Sequence, residues 1–400
     1  MFWRSQLARI DLFRVCKLSN RMSAPRRSLS DQDETFMQRA LELAARARGD
    51  VEPNPMVGCV LVRDGQIIGE GYHHQFGGPH AEIDALQSLE SPTDASGATA
   101  YVTLEPCCHH GKTPPCSQAL VDAKIGRVVL AMPDPFPKVD GGGIAQIRHA
   151  GIETTVGVLQ SEAEALNAPY LKLIRSGKPW VIAKWAMTLD GRIATASRDS
   201  QWITNPDSRL QTHQLRARVD GIAVGMGTVI TDDPLLTARI QNTKPHRVAN
   251  RFVFCRHRLP NVQSKLVQSA RDVPLHLMVG NQVDTEQCQI LQQAGAEVLE
   301  TGTDDPSTMV EQALHWMGKK SLTNLMLEGG SELLASFFES GQIDECHIFL
   351  GAKVVGGQQA PGPIGGSGIG KIANAEAFTL ISVDALQSDL RAVYRRVESP

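Results

Sequence analysis

The chain of 400 residues has no run near the roughly 20 apolar residues a membrane-spanning helix requires, which excludes a helical membrane protein. Eight cysteines are too sparse for a disulfide scaffold. Neither sign of charge dominates: 40 basic residues face 43 acidic ones, a net charge of −3. Such a balance offers no field for a phosphate backbone and argues against nucleic acid as the main partner. Aromatic residues, at 5%, are also too few for the stacking surfaces of a single-strand binder. No internal repeat recurs at a fixed period, and only residues 356–370 are compositionally biased. What is present is a hydrophobic fraction of 42%, enough for a core in each of two or three domains at about 150 residues apiece.

The first 30 residues differ from the rest. Arg4, Arg9, Arg14, Lys17, Arg21, Arg26 and Arg27 face a single acid, Asp11. A transit peptide is one reading; a disordered basic tail, or a start at Met22, is the preferred one. The expected location is therefore the cytoplasm, with a plastid as the alternative. Residues 31–175 and 176–400 are expected to form two α/β domains, because strand and helix patterns alternate in both. In the first, periodicity predicts helices over 31–47, 80–89, 116–123 and 144–150, with strands over 57–62, 100–104, 127–132 and 152–158. Asp64-Gly65 predicts a hairpin turn. Asp31 and Glu34 resemble a capping box. In the second, strands are expected over 180–187, 221–225, 252–255, 275–279, 297–300 and 322–327, with a helix over 206–219. Residues 366–370 are glycine-rich but wrongly spaced for a dinucleotide fingerprint and are expected to form a loop.

Three of the cysteines, Cys107, Cys108 and Cys116, fall within ten residues, which points to metal chemistry in a reducing compartment. His80, Cys107 and Cys116 offer one imidazole and two thiolates, a donor set suited to Zn²⁺. Three protein ligands leave a coordination position for water, acidified by the ion. Glu82, two residues beyond His80, is placed to carry the water's proton to a departing nitrogen. His-x-Glu followed by Pro-Cys and a second cysteine is the signature of zinc nucleobase deaminases, here with eight residues between the cysteines. The alternative is a closed zinc knuckle with Cys108, His109 or His110 as fourth ligand. Cys108 is not expected to ligate, since adjacent residues rarely face one ion.

Pro53-Asn54-Pro55-Met56-Val57-Gly58, His80-Ala81-Glu82 and the stretch from Leu104-Glu105-Pro106-Cys107 to Lys112-Thr113-Pro114-Pro115-Cys116 resemble the deaminase half of the bifunctional riboflavin-biosynthesis deaminase/reductase family. The resemblance implies a cytidine-deaminase-like three-layer fold. The implied substrate is 2,5-diamino-6-ribosylamino-4(3H)-pyrimidinone 5′-phosphate, which loses its 2-amino group as ammonia. Asn54, His73 and Lys112 take positions that hold the pyrimidine and its phosphate. On its own, His73 beside His74 would read as a surface pair. Phe136 stands where the family carries a polar residue.

In the second half Leu327-Glu328-Gly329-Gly330-Ser331-Glu332-Leu333 lies between a strand and a helix, where two glycines let backbone N–H groups approach a pyrophosphate. The stretches around Lys184 to Arg192, Ser200 to Thr204, Leu215-Arg216-Ala217 and Thr228 to Thr237 resemble the reductase half of the same family. This implies a dihydrofolate-reductase-like α/β domain that uses NADPH to deliver hydride to C1′ of the sugar. By that resemblance Ala186, Trp202, Thr228, Asp232 and the run Gly330, Ser331, Glu332, Leu333, Leu334, Ala335 and Ser336 line the cofactor. Ser200, Arg216, Leu236, Arg239 and Glu328 face the substrate. Arg216 and Arg239 suit a phosphate because guanidinium is a planar fork of donors. Cys255-Arg256 replaces the family's usual Asp-Ser pair, so the serine's cofactor contact is not carried over.

Two other readings compete. One is a nucleobase deaminase with an unrelated nucleic-acid-binding module, disfavoured by charge and aromatic content. The other keeps the deaminase and treats the C-terminal part as a non-catalytic dimerisation domain. The expected partners are a small phosphorylated pyrimidine and, compatibly, a second copy of the chain, with no nucleic acid and no membrane.

Overall fold

The computed structural model describes residues 31–109, 115–240 and 247–397; the basic leader and Lys112 lie outside them. The first sheet has strands β1 (Gly58–Arg63), β2 (Gln66–Tyr72), β3 (Thr99–Val102), β4 (Arg127–Leu130) and β5 (Glu153–Val156), in the order β2-β1-β3-β4-β5. The β1–β2 turn is the expected Asp64-Gly65, with φ of 49° and 74° at its two residues, as a two-residue hairpin of matching twist requires. Alternate residues of β1 face opposite layers. Val60 and Val62 pack on the helix Asp31–Ala44 through Phe36, Met37 and Ala40. Cys59 and Leu61 pack on the helices Ala81–Gln87, Cys116–Asp122 and Gly142–His149 through Ala85, Leu120 and Ile147. The result is a helix–sheet–helix sandwich. Asp31 is already helical here, so it is not the cap.

The second sheet has nine strands: β6 (Trp180–Thr188), β7 (Gly221–Gly225), β8 (Asn250–Cys255), β9 (Leu275–Val279), β10 (Glu297–Glu300), β11 (Asn324–Glu328), β12 (Glu345–Gly351), β13 (Phe378–Leu386) and β14 (Asp389–Arg396). Their order is β10-β9-β8-β7-β11-β6-β12-β14-β13, parallel from β10 to β12 and antiparallel beyond. Its central strands are apolar on both faces because helices cover both. Ile182, Ile222 and Val253 meet Leu215 and Leu291 on one side. Ala183, Ala223 and Phe252 meet Leu314 and Phe337 on the other. Strands β12 to β14 had not been expected. The hairpin β13–β14 is the edge of the sheet, and β13 is half-exposed or exposed along its length, so it carries no burial alternation to read. Among the described residues no helix is long and apolar enough to cross a membrane.

Three contacts fasten the two sheets' layers together. Lys172 pairs with Asp344 at 2.5 Å, Arg247 bridges Asp220 to the Glu52 carbonyl, and Arg395 donates to the Ala165 carbonyl.

Arg251 is fully buried on β8 and, among the described residues, bonds to carbonyls and a hydroxyl and to no acid. It donates to the carbonyls of Leu235, Ser269 and Val273 and to Ser269 Oγ, which holds the loop before Leu236 against the sheet. Arg251→Ala strands these acceptors, and unpaired buried polar groups cost about 1–3 kcal/mol each. The variant is expected to lose at least ~2 kcal/mol in chemical denaturation; an unchanged midpoint would contradict that role.

Candidate active sites

His80 precedes the helix Ala81–Gln87 in extended conformation, Cys107 follows β3, and Cys116 opens the helix Cys116–Asp122. Their Nδ1 and two Sγ atoms lie within 4.8 Å of one another. Nδ1 is 3.6 Å from Cys107 Sγ and 3.2 Å from Cys116 Sγ. A tetrahedral zinc with Zn–S near 2.3 Å and Zn–N near 2.0 Å sets nitrogen and sulfur about 3.6 Å apart, so the donor set fits that ion. Without a cation the sulfurs cannot both ionise. A hydrogen bond from Cys116, with His80 beside it, draws the Cys107 thiol down to about 4 against the effect of burial, while Cys116 is pushed up.

Glu82 is 3% exposed and lies against Cys116; burial pushes its carboxyl up. His73 is not a surface residue but buried. Its Nδ1 donates to the Pro79 carbonyl at 2.8 Å, leaving Nε2 to accept from Asn54 Nδ2 at 3.2 Å, and its ring stands 5.4 Å from that of His80. His74 turns away to Asp84. Cys108 aims its sulfur at the Lys138 and Val139 carbonyls and is not in the donor cluster, nor is His109. His110 and Lys112 lie outside the described residues.

The loop that carries Cys107 is held from behind. Ser117 donates its N–H and Oγ–H to the Cys107 carbonyl. The buried Glu105 carboxylate accepts four backbone N–H groups, those of Asp134, Gly141, Gly143 and Ile144. This draws the helix Gly142–His149 so close that a Cβ on Gly143 would stand 1.9 Å from the Pro106 carbonyl. Glu105 was missed by sequence reasoning; an acid between a buried strand and Pro-Cys was the available signal.

The second centre is a cavity of about 900 Å³ along the C-terminal ends of β6, β7, β8 and β11, where open parallel sheets bind ligands. Ala186, Trp202, Thr228, Asp232, Gly330, Ser331, Glu332, Leu333, Leu334 and Ser336 line it, as do Ser200, Arg216, Leu236, Arg239 and Glu328. Ala335 does not; it is buried beneath Gly366. Gly329 and Gly330, at φ of 62° and 77°, lead into the nine-residue helix Ser331–Glu339, and a Cβ on Gly330 would approach Thr228 Oγ1 to 3.2 Å. Free N–H groups at that helix start, beside backbone without side chains, suit a pyrophosphate.

Arg216 does not present an open fork. Its Nε and Nη2 grip both oxygens of the buried Glu328 at 2.5 and 2.7 Å. Lys184, also lining the cavity, lies beside this pair, and burial lowers its affinity for a proton against the pull of Glu328. Of the two adjacent acids, Asp233 accepts from Lys265 N, whereas Asp232 lines the cavity. Lys184 and His213 were missed, although a lone lysine inside Trp180–Thr188 was a readable anomaly.

The RibD C-terminal domain profile matches residues 179–391, and that of the cytidine and deoxycytidylate deaminase zinc-binding region matches residues 30–132. The chain is 40% identical over 370 residues to riboflavin biosynthesis protein RibD of Actinobacillus pleuropneumoniae, covering 92% of this chain and 96% of that one. The chain belongs to the RibD family. The Escherichia coli RibD is 38% identical, covering 87% of this chain and 95% of that protein. Acinetobacter baumannii RibD, form 1, superposes with a TM-score of 0.79 at 36% identity, covering 92% of this chain and 99% of that one. The Thermotoga maritima diaminohydroxyphosphoribosylaminopyrimidine deaminase/5-amino-6-(5-phosphoribosylamino)uracil reductase superposes with a TM-score of 0.76 at 32% identity over the same shares. The three-layer deaminase-like unit followed by an α/β reductase unit is thus the RibD architecture.

His213 borders the reductase cavity and accepts from Arg239 N. Burial, then the charges of Arg216 and Arg239, draw its pKa down to about 4. A histidine lowered in the folded state stabilises the fold fully above its unfolded pKa near 6.5, and that contribution is lost as pH falls toward 4. Nuclear magnetic resonance should find the His213 ring neutral at pH 5.5; a midpoint near 6.5 would contradict the burial argument.

Proposed function

We propose that the N-terminal unit, residues 31–175, deaminates 2,5-diamino-6-ribosylamino-4(3H)-pyrimidinone 5′-phosphate, and that residues 176–400 reduce the ribosyl group of the product to ribityl with NADPH. The observation that carries this is the His80–Cys107–Cys116 donor triangle with a buried Glu82 against it, in one chain with a cavity of about 900 Å³ that the Gly330–Ser331 helix start borders. One zinc ion per chain, held by those three residues, supplies when bound the Lewis acidity that makes water a nucleophile near neutral pH. Glu82 passes one proton of the attacking water to the adjacent ring nitrogen and the remaining hydroxyl proton to the 2-amino nitrogen, so that the C2–N bond breaks, ammonia leaves and C2 becomes a carbonyl. Asn54, fixed by its bond to His73, reads the pyrimidine edge. Lys112 meets the phosphate.

In the second unit NADPH supplies the hydride that C1′ receives, and the bond from C1′ to the ring oxygen breaks as that oxygen gains a proton. Glu328, oriented by Arg216, holds the sugar beside Ser200 and Leu236, and Arg239 meets the phosphate. Ala186, Trp202, Thr228, Asp232 and the segment Gly330–Ser336 hold the cofactor, Ala335 by packing behind the cavity wall. The thiol ligands favour a reducing compartment, and the cytoplasm is the proposed location.

Metal content and both half-reactions can be measured on one preparation. Glu82→Gln should retain one zinc per chain while deamination falls by about 10²-fold or more, as loss of a general acid–base does. Cys107→Ser should lose the metal as well. Appreciable turnover in the first variant, or full zinc in the second, would overturn those roles. With the deaminated pyrimidine and NADPH, the wild-type chain should consume nicotinamide absorbance at 1:1 with substrate. No consumption would leave the C-terminal unit without its reductase role.

A further inference from the structure

The turn that carries Asn54 is not held by its own unit alone. Residues 49–56 join the first helical segment to β1, and the middle of this turn lies against the C-terminal unit. Arg247, three residues before β8, donates from Nη2 to the Glu52 carbonyl at 2.9 Å and stands 3.6 Å from the Glu52 carboxylate, while Nη1 pairs with Asp220. We infer that Arg247 is a positioning residue for the deaminase: by gripping Glu52, two residues before Asn54, it sets the amide that reads the pyrimidine edge. The first reaction then depends on the docked C-terminal unit. The inference rests on the deaminase reading above.

The turn is braced from both units. Within the N-terminal unit, the Asn167 side chain accepts from Met56 N at 2.8 Å and donates to the Met56 carbonyl at 2.9 Å, which fixes the far end. Asn54 N donates to the Val51 carbonyl at 2.9 Å and Gly49 N to Glu52 Oε1 at 3.1 Å, so the turn closes on itself and moves as a piece. The near end is set against the C-terminal unit. A Cβ on Gly49 would stand 2.7 Å from Cβ of Arg218, the last residue of the helix Pro206–Arg218. Asn54 Nδ2 ends this chain of contacts, 3.2 Å from His73 Nε2. Hydrogen bonds weaken steeply when misaligned, so a turn released at Glu52 loses its hold on the base before it loses the metal.

Arg247 is itself anchored before it reaches across. Asp220, just ahead of β7, accepts from Thr323 N and Asn324 N at 2.7 and 3.0 Å, which ties the guanidinium's partner to the start of β11. The Glu52 side chain is 8% exposed, so the contact is shielded from water, where a charge-assisted hydrogen bond is strongest. Asp220, Arg247 and Thr323 all precede parallel strands, whereas the reductase cavity lies along the C-terminal ends of the same strands. A five-residue strand such as β7 or β11 separates the two rims by about 16 Å. A change at Arg247 therefore reaches the first site without touching the second.

The test is steady-state kinetics of both half-reactions, with zinc content, on the full chain carrying Arg247→Ala, Arg247→Gln or Arg247→Lys. Arg247→Ala is expected to raise the KM for deamination about 10-fold while kcat stays within about 3-fold, because the turn is released and the zinc donors and Glu82 are not. Zinc should be retained, and reductase kinetics should stay within about 2-fold of wild type, since that cavity opens at the opposite rim. Arg247→Gln, too short to span Asp220 and the Glu52 carbonyl, should behave in the same way and decides the matter if the alanine variant does not fold. Arg247→Lys, whose ammonium can meet both acceptors, should return KM to within about 3-fold of wild type. An unchanged KM in the neutral variants, a loss of kcat or zinc in its place, or a parallel loss of both activities would each overturn the positioning role and leave the deaminase reading standing. If the zinc-loaded wild-type chain does not deaminate the pyrimidine, that reading itself fails and the positioning role falls with it.

Discussion

One imidazole nitrogen and two sulfurs lie within hydrogen-bonding distance of each other, and ionising both sulfurs there is unfavourable unless something positive sits between them. The Cys107–Cys116 pair can shed only one proton on its own, and a cation that stabilises both thiolates changes this. The N-terminal unit is arranged around that constraint. Two helices start at His80 and Cys116, and the strand end at Cys107 is clamped by Ser117 from one side and by the Glu105-anchored helix from the other. Glu82, two residues beyond His80, lies against Cys116 in the same space.

The C-terminal unit solves a different problem with the same type of layer. Its parallel strands end together, and the chain leaves each at a loop or helix start, so backbone N–H groups and charged side chains collect along one rim. Charge there is matched internally. Lys184 and Arg216 face a single buried carboxylate, Glu328, and His213, whose proton affinity burial and the neighbouring arginines lower, accepts from Arg239 N. A buried ion pair of this kind adds little to stability compared with apolar packing, and its value lies in orienting Glu328. Arg251, behind the same rim, holds the Leu235 carbonyl and so fixes the loop that presents Leu236.

The two units meet mainly through short polar contacts, with Ala168 of the first packed against the core of the second. The Lys172–Asp344 pair also involves Val181 N, at the start of β6, so the helix that ends the first unit is tied to the central strand of the second. Arg247 joins Asp220 and Glu52 in the same manner. The hydrophobic clusters remain separate on either side of these links.

Local pattern was enough for much of this protein. The apolar run of residues 57–62, the Asp-Gly turn, and the apolar runs of the parallel strands are decided by which side chains leave water, and neighbours in sequence carry that information. The metal donors were readable as well, because zinc demands particular atoms and the Pro-Cys and His-x-Glu motifs supply them. The tertiary structure alone decided what depends on partners distant in sequence. It buried His73 and left His74 outside, turned Asp233 to Lys265 while Asp232 stayed at the cavity, closed the Arg216 fork on Glu328, and put Ala335 behind the wall. It also built β13 and β14, whose pairing follows from backbone hydrogen bonds at an exposed edge and leaves no hydrophobic period behind. Burial pattern is written along the chain; the direction of a polar side chain is set by whichever donor or acceptor the fold brings within about 3 Å of it.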